Sequence, residues 1–268
     1  MISRTGTSNS LLAALPQRER DDLQQRSERV LLALDQVIGE PGKPIRDVYF
    51  PMDCFVALMA GVDGHDALAA DLVGSEGMVG VPLLLGVERS PLRARVLGAG
   101  EALRVAAPEF QHALLASVLL ERQFRRYAGV RMEQFARTAA CAAFHRVEQR
   151  VACWLLMAQD RAHRERFVLT HERLARLLGV RRSGVSTAAG TLQAARLITY
   201  TRGHVLVLDR VGLEQAACGC YRSARDLTRF GIAAAPRRDV EIAPPRAPPG
   251  TPSDAPRPQL SRGIPHRH

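Results

Sequence analysis

The sequence predicts an α+β chain with three parts: an antiparallel β domain, a long helix, and a helix-turn-helix followed by a β-hairpin. Three observations carry this. Between Asp47 and Val105, short apolar runs alternate with glycine-containing turns at nearly even spacing, the pattern of an antiparallel barrel or sandwich. From Pro108 to Phe144, apolar residues recur at helical steps. From Thr170 to Ala189, two helical sets of apolar residues are divided by one glycine.

The third stretch organises the rest. Leu174, Ala175, Leu177 and Leu178 make the inner face of a first short helix, and Val180, Val185, Ala188 and Ala189 that of a second. Ala175 is small enough for a close helix crossing, and Gly179 suits the tight turn between the helices. Thr170 is placed to cap the first helix, with Glu172 in its first turn to suit the dipole, and it is counted with Arg181, Arg182, Ser183, Ser186, Thr187 and Arg202 among the expected DNA-binding residues. Arg181, Arg182, Ser183, Ser186 and Thr187 avoid the buried face. Guanidinium forks and small hydroxyls of this kind grip phosphates and reach base edges. A plain αα-corner would share the apolar pattern, but not the hairpin that follows. Leu197–Thr201 and His204–Leu208 flank Arg202-Gly203, so the unit is a winged helix with Arg202 at the wing tip. Its second helix, about residues 181–195, is expected to enter the major groove of double-stranded DNA.

The phrases L-L-G-V-R-R-S-G-V, T-L-Q-A-A-R-L-I-T-Y and R-G-H-V within residues 170–208 resemble the DNA-binding domain of the cyclic-AMP receptor protein / fumarate-nitrate regulator (Crp/Fnr) superfamily of bacterial transcription factors. The similarity covers most of residues 10–222. It implies a jelly-roll-like β-roll for the N-terminal region, an effector site within it, a homodimer, and RNA polymerase as a further partner. In the best-matched members a Glu that reads cytosine follows the arginine corresponding to Arg182, where this chain has Ser183. An Arg one turn later is replaced by Thr187. The resemblance therefore implies an operator different from the usual palindrome, with Arg182 reading a base. Arg181, Ser186 and Thr187 are assigned to phosphates or neighbouring base edges, and Arg202 to the backbone.

In chain order, Leu11–Leu15 and Glu19–Arg29 read as amphipathic helix, and Gly39–Pro44 as a turn cluster. The expected strands are Asp47–Pro51, Phe55–Ala60, Asp66–Val73, Arg93–Leu97 and Glu101–Val105, which place an effector-type domain at residues 1–107. The segment V-G-S-E-G-M-V-G-V-P (73–82) followed by Arg89-Ser90-Pro91 resembles the superfamily's cyclic-nucleotide cassette. That resemblance nominates Gly77, Gly80, Arg89 and Ser90 as effector-binding residues. The cassette departs from the pattern in two ways. Arg89-Ser90 lies closer to Gly80, and Val81 stands where the ribose-binding Glu belongs. A ribose hydroxyl left without its acceptor in a buried site costs on the order of 1 kcal/mol or more. Tight cyclic-AMP binding is not expected, and no cofactor is assigned.

Residues 108–144 are expected to form one nearly uninterrupted dimerisation helix with Phe124, Ala128, Met132, Phe135, Ala139 and Ala142 in its stripe. Gly129 in mid-helix departs from ideal propensity and would let a partner helix approach. Residues 145–229 make the winged-helix domain. It begins with a helix over His145–Arg161 whose Trp154 closes the core, and it ends with a helix over Leu213–Arg229. Residues 230–268 hold nine of the sixteen prolines and no apolar period, as a disordered tail would.

Charge follows the same division. The chain carries a net +10, yet residues 1–107 hold 11 Lys/Arg against 14 Asp/Glu, while residues 170–202 hold six arginines against Glu172 alone. A polyanionic partner is expected for the second half. No apolar run is long enough to span a bilayer, and a soluble cytoplasmic protein is expected. The five cysteines are odd in number and lack paired CxxC spacing, so neither a disulfide framework nor a zinc ribbon is expected. Cys218 and Cys220 could bind metal or sense oxidants. With the histidines at 145, 163, 171 and 204 scattered along the chain, no metal site is assigned. Enzymatic motifs such as G-x-S-x-G, H-E-x-x-H and the P-loop are absent from the sequence, and no enzyme activity is expected. The alternatives to a DNA-binding regulator are a cyclic-nucleotide or small-molecule signal-binding protein and a thiol or metal sensor acting through Cys218 and Cys220.

Overall fold

The structure, a computed structural model, describes residues 8–62 and 65–232; of the expected tail, residues 230–232 are instead the end of the last helix, and 233–268 lie outside the described residues. Two short helices open it, α1 (Ser10–Ala13) and α2 (Gln17–Gln25). Strands β1 (Ser27–Leu32), β2 (Val37–Gly39), β3 (Asp47–Pro51), β4 (Phe55–Val62), β5 (His65–Val73), β6 (Arg93–Gly98) and β7 (Gly100–Ala106) follow, with a single 3-10 turn at Val81–Leu85. They form two antiparallel sheets, ordered β1-β7-β3 and β2-β6-β4-β5. All five expected strands are present, with ends extended by up to two residues.

The expected helix over Glu19–Arg29 stops early. Ser27–Leu32 instead pairs with β7, Ser27 opposite Val105 and Leu32 opposite Gly100. Apart from Leu32, these residues are exposed or only half-buried, so an edge strand without clean alternation continues straight from a charged helix.

Helices α3 (Ala107–Ala116) and α4 (Val118–Phe144) are separate. The expected continuous helix breaks at Ser117, which takes an extended conformation (φ −139°, ψ 109°) and caps α4 by accepting the Leu120 N–H at 3.3 Å. A serine competes with the helix for backbone donors in this way. The break lets α3 and α4 converge on one core, where Phe50, Phe110 and Phe124 lie with ring centroids 5.4–6.3 Å apart. All three rings are fully buried, each worth about 1.5–3 kcal/mol over exposure.

The remaining elements are α5 (Val147–Ala162), β8 (Arg166–Val168), α6 (His171–Leu178), α7 (Arg182–Ala194), β9 (Ile198–Thr201), β10 (His204–Val207), α8 (Arg210–Ala216) and α9 (Cys220–Ile232). Strands β8, β10 and β9 form a small antiparallel sheet. The expected last helix is in fact two, divided where Ala217 turns extended (φ −74°, ψ 155°). Trp154 is buried as expected, but in a core that both halves share. Phe55, Ala57, Met59, Ala69 and Leu72 of the roll pack into one apolar cluster with α5, α6 and α7.

Polar contacts reinforce that junction. Arg173 of α6 meets Asp35 of the roll at 2.6 Å, and Arg161 of α5 meets Glu76 at 2.7 Å. Arg131 of α4 pairs with Asp71 of β5, both almost wholly buried. Burial pushes the Asp71 carboxyl up while Arg131 pulls it back, and the guanidinium itself is held charged. Glu76 is held below the usual carboxylate range: its burial opposes ionisation, but Arg161 and then Arg131 outweigh it.

Candidate nucleic-acid interface

Thr170 caps α6, its hydroxyl accepting the Arg173 N–H at 3.1 Å. Leu174, Ala175, Leu177 and Leu178 are buried beneath that helix. Gly179 ends it in the left-handed region at φ +65°, where a side chain would be strained. A Cβ there would also stand 2.5 Å from Leu68 of β5. This turn leads directly into α7, which packs against α5 and α6.

Helix α7 buries Val185, Ala188, Ala189 and Leu192. Arg181, Arg182, Ser183, Ser186 and Thr187 are all exposed, so the five nominated side chains share the outer face. Arg181 is the N-cap residue and offers no side-chain cap bond. The first N–H groups of α7 thus add the positive end of the helix dipole to two guanidinium groups.

The wing is fixed to the same place. At its tip Arg202 and Gly203 have φ +51° and +83°, the two positive values of a type I′ hairpin turn. A non-glycine residue at the first of these is uncommon. The Gly203 carbonyl accepts the Leu169 N–H at 2.8 Å, one residue before the α6 cap. Arg202 is exposed, while Val205 and Val207 are buried. A histidine treated as isolated in the sequence completes the unit. His171 Nδ1 lies 3.0 Å from Ser186 Oγ, and its ring meets Tyr200 of β9 edge-on at 4.3 Å.

The cassette residues separate. Gly80 and Ser90 line a cavity of about 330 Å³ between the roll and α4, together with Val81 and, from α4, Ala128, Arg131 and Phe135. Gly77 does not face it: a Cβ there would lie 2.0 Å from the Tyr127 hydroxyl. Arg89 donates to the Gly42 carbonyl at 2.7 Å in an exposed position, and Ser90 donates to the Leu92 carbonyl at 2.6 Å. The Cys218–Cys220 pair, by contrast, has the neighbours its sequence context did not reveal. Cys141 and His145, more than 70 residues earlier in the chain, stand beside it.

An antiparallel roll, a long helix and a winged helix with an arginine-fronted outer face together define a DNA-binding regulator of the winged-helix class. Residues 149–216 match the family described as the Crp-like helix-turn-helix domain. That match covers the DNA-binding part of the chain, which is a Crp-like helix-turn-helix domain. Among solved structures it is similar to the CRP/FNR-family transcriptional regulator TTHA1359 of Thermus thermophilus, at 25% identity and TM-score 0.54, over 71% of this chain and 98% of that one. It shares its fold with FixK2 from Bradyrhizobium japonicum at 15% identity and TM-score 0.62, over 72% of this chain and 98% of that one. It also shares it with CLP, the c-di-GMP responsive global regulator of Xanthomonas campestris, at 20% identity and TM-score 0.58, over 72% and 99%. No curated protein matches the chain. Among the described residues, no helix is long and apolar enough to cross a membrane.

Proposed function

We propose that the chain is a homodimeric, sequence-specific regulator that sets α7 in the major groove. Arg182 reads a base edge. Arg181, Ser183, Ser186 and Thr187 hold phosphates or neighbouring bases, Arg202 touches the backbone from the wing, and Thr170 holds the cap beside it. The observation that carries this reading is the exposed, arginine-fronted start of α7 above a fully apolar inner face. Such a regulator would work in the cytoplasm and act on RNA polymerase.

An exposed apolar stripe on α4 supports docking of a second copy. On α4, Met132 (65% exposed), Ala136, Ala139, Ala143 and Phe144 (84% exposed) continue the apolar stripe after Phe124 and Ala128 have turned into the chain's own core. Gly129, one turn before Met132, is exposed with open space where a Cβ would be. A partner helix crossing there would bury this face and place two recognition helices about one DNA turn apart. The cavity of about 330 Å³ beside α4 supports control by a small, largely apolar effector. Arg89, turned to Gly42, favours that over a cyclic nucleotide.

Selection of bound duplexes from a random pool, with light scattering on the same sample, tests this. A dimer enriching a two-fold symmetric motif is expected. A monomer with no preference over random competitor at moderate salt would overturn it.

A further inference from the structure

The last turn of α4 and the loop entering α9 bring four metal-binding side chains together. Cys141 and His145 lie one turn apart at the end of α4, where the His145 N–H closes the helix on the Cys141 carbonyl at 3.1 Å. Cys218 and Cys220 flank Gly219 at the start of α9. Cys141 Sγ is 3.5 Å from Cys218 Sγ, and Cys220 Sγ is 3.6 Å from His145 Nδ1. One ligand atom from each of the four residues lies within 4.8 Å of all the others. A tetrahedral zinc with ordinary Zn–S and Zn–N bonds has ligand–ligand edges of roughly 3.5–3.8 Å. Two of the observed distances already match, and small side-chain rotations would close the rest.

We propose that Cys141, His145, Cys218 and Cys220 form a zinc-type divalent metal site that staples α9 to the end of the long helix. Three thiols lose their protons to bulk water on binding and the imidazole binds neutral through Nδ1, so the complex carries a net −1.

Behind the loop, Tyr221 is fully buried and anchored, its hydroxyl donating to Asp160 at 2.8 Å and accepting from Arg210 at 2.5 Å. The Cys-x-Cys-Tyr sequence thus has a physical division of labour: the tyrosine fixes the loop and the two cysteines present their sulfurs to α4.

The site lies at the joint between the long helix and α5, so an ion there would brace the winged helix against the helix expected to dimerise. The test uses the full, reduced chain loaded with cobalt(II). One bound equivalent is expected, with strong visible absorption of a tetrahedral ion and thiolate charge-transfer bands in the near ultraviolet. Cys218→Ser/Cys220→Ser should lose both signals, and Cys54→Ser, whose thiol sits inside the roll, should keep both. If the double variant fails to fold, the unaltered chain still answers. Zinc should protect three of its five thiols from a thiol-reactive reagent, and a chelator should expose them again. A weak octahedral cobalt spectrum, no thiol protection by zinc, or a Cys141–Cys218 disulfide persisting in the reduced chain would overturn the proposal. None of these readouts depends on DNA, so the fate of the regulator reading is decided separately.

Discussion

The imidazole of His171 and the hydroxyl of Ser186, 3.0 Å apart, tie the first helix of the helix-turn-helix to the recognition helix. Burial first, then the nearby Arg182 guanidinium, holds His171 below the ordinary histidine value. The ring therefore stays neutral in the folded chain at pH values where the unfolded chain takes up a proton.

Because the folded value is the lower one, this contact stabilises the fold fully above the ordinary histidine value of about 6.5 and loses that contribution as pH falls through the folded value. In an NMR titration the His171 midpoint should lie below the ordinary value, and it should rise in Arg182→Gln. A midpoint at or above the ordinary value would refute the assigned environment.

Arg182 stands exposed at the first position of α7. Arg182→Ala should cost roughly 1–3 kcal/mol in binding and relax preference at one base pair per half-site, whereas Arg202→Ala should weaken all duplexes alike and flatten the salt dependence. Competition titrations against single-base variants of the selected motif separate the two. Uniform loss for Arg182→Ala would make it a phosphate contact.

The Asp71–Arg131 pair is buried on both sides. Asp71→Ala should destabilise by about 3–5 kcal/mol because it strands a charge, and the double change Asp71→Leu/Arg131→Met should be far milder. Urea melts decide; a near-neutral single variant would mean that Arg131 finds another counter-charge.

Gly179→Ala meets two obstacles, the positive φ and the Leu68 side chain 2.5 Å from the new Cβ. The left-handed backbone alone should cost about 1–2 kcal/mol. Repeating the change in a Leu68→Ala background should remove only the steric part. Full rescue there would show that backbone strain contributes nothing.

The strands were legible because Gly74–Gly77 and Gly98–Gly100 punctuate apolar runs, and the winged helix because Gly179 and Arg202-Gly203 sit at fixed offsets from apolar faces. Edge strand β1 was not, since S-E-R-V-L-L follows a charged helix without a turn residue. Ser117 looks like any helical serine until α3 must fold back against Phe124. The neighbours of Cys218 were hidden for a different reason. Cys141 and His145 come from an element that only tertiary folding brings near, and no spacing rule spans such a separation. His171 was passed over in the same way, its partners Ser186 and Tyr200 lying on two later elements.

The apolar cluster shared by the roll and the winged helix has a practical corollary. Severing the chain after α4 would strip Phe55, Met59 and Leu72 of their cover and leave Leu155, Leu174 and Leu177 facing water. The two halves should melt as one cooperative unit, and an effector that swings them apart must supply the work of wetting that seam. Ligand screens therefore belong on the intact chain, where the work of separation is registered as a shift in affinity.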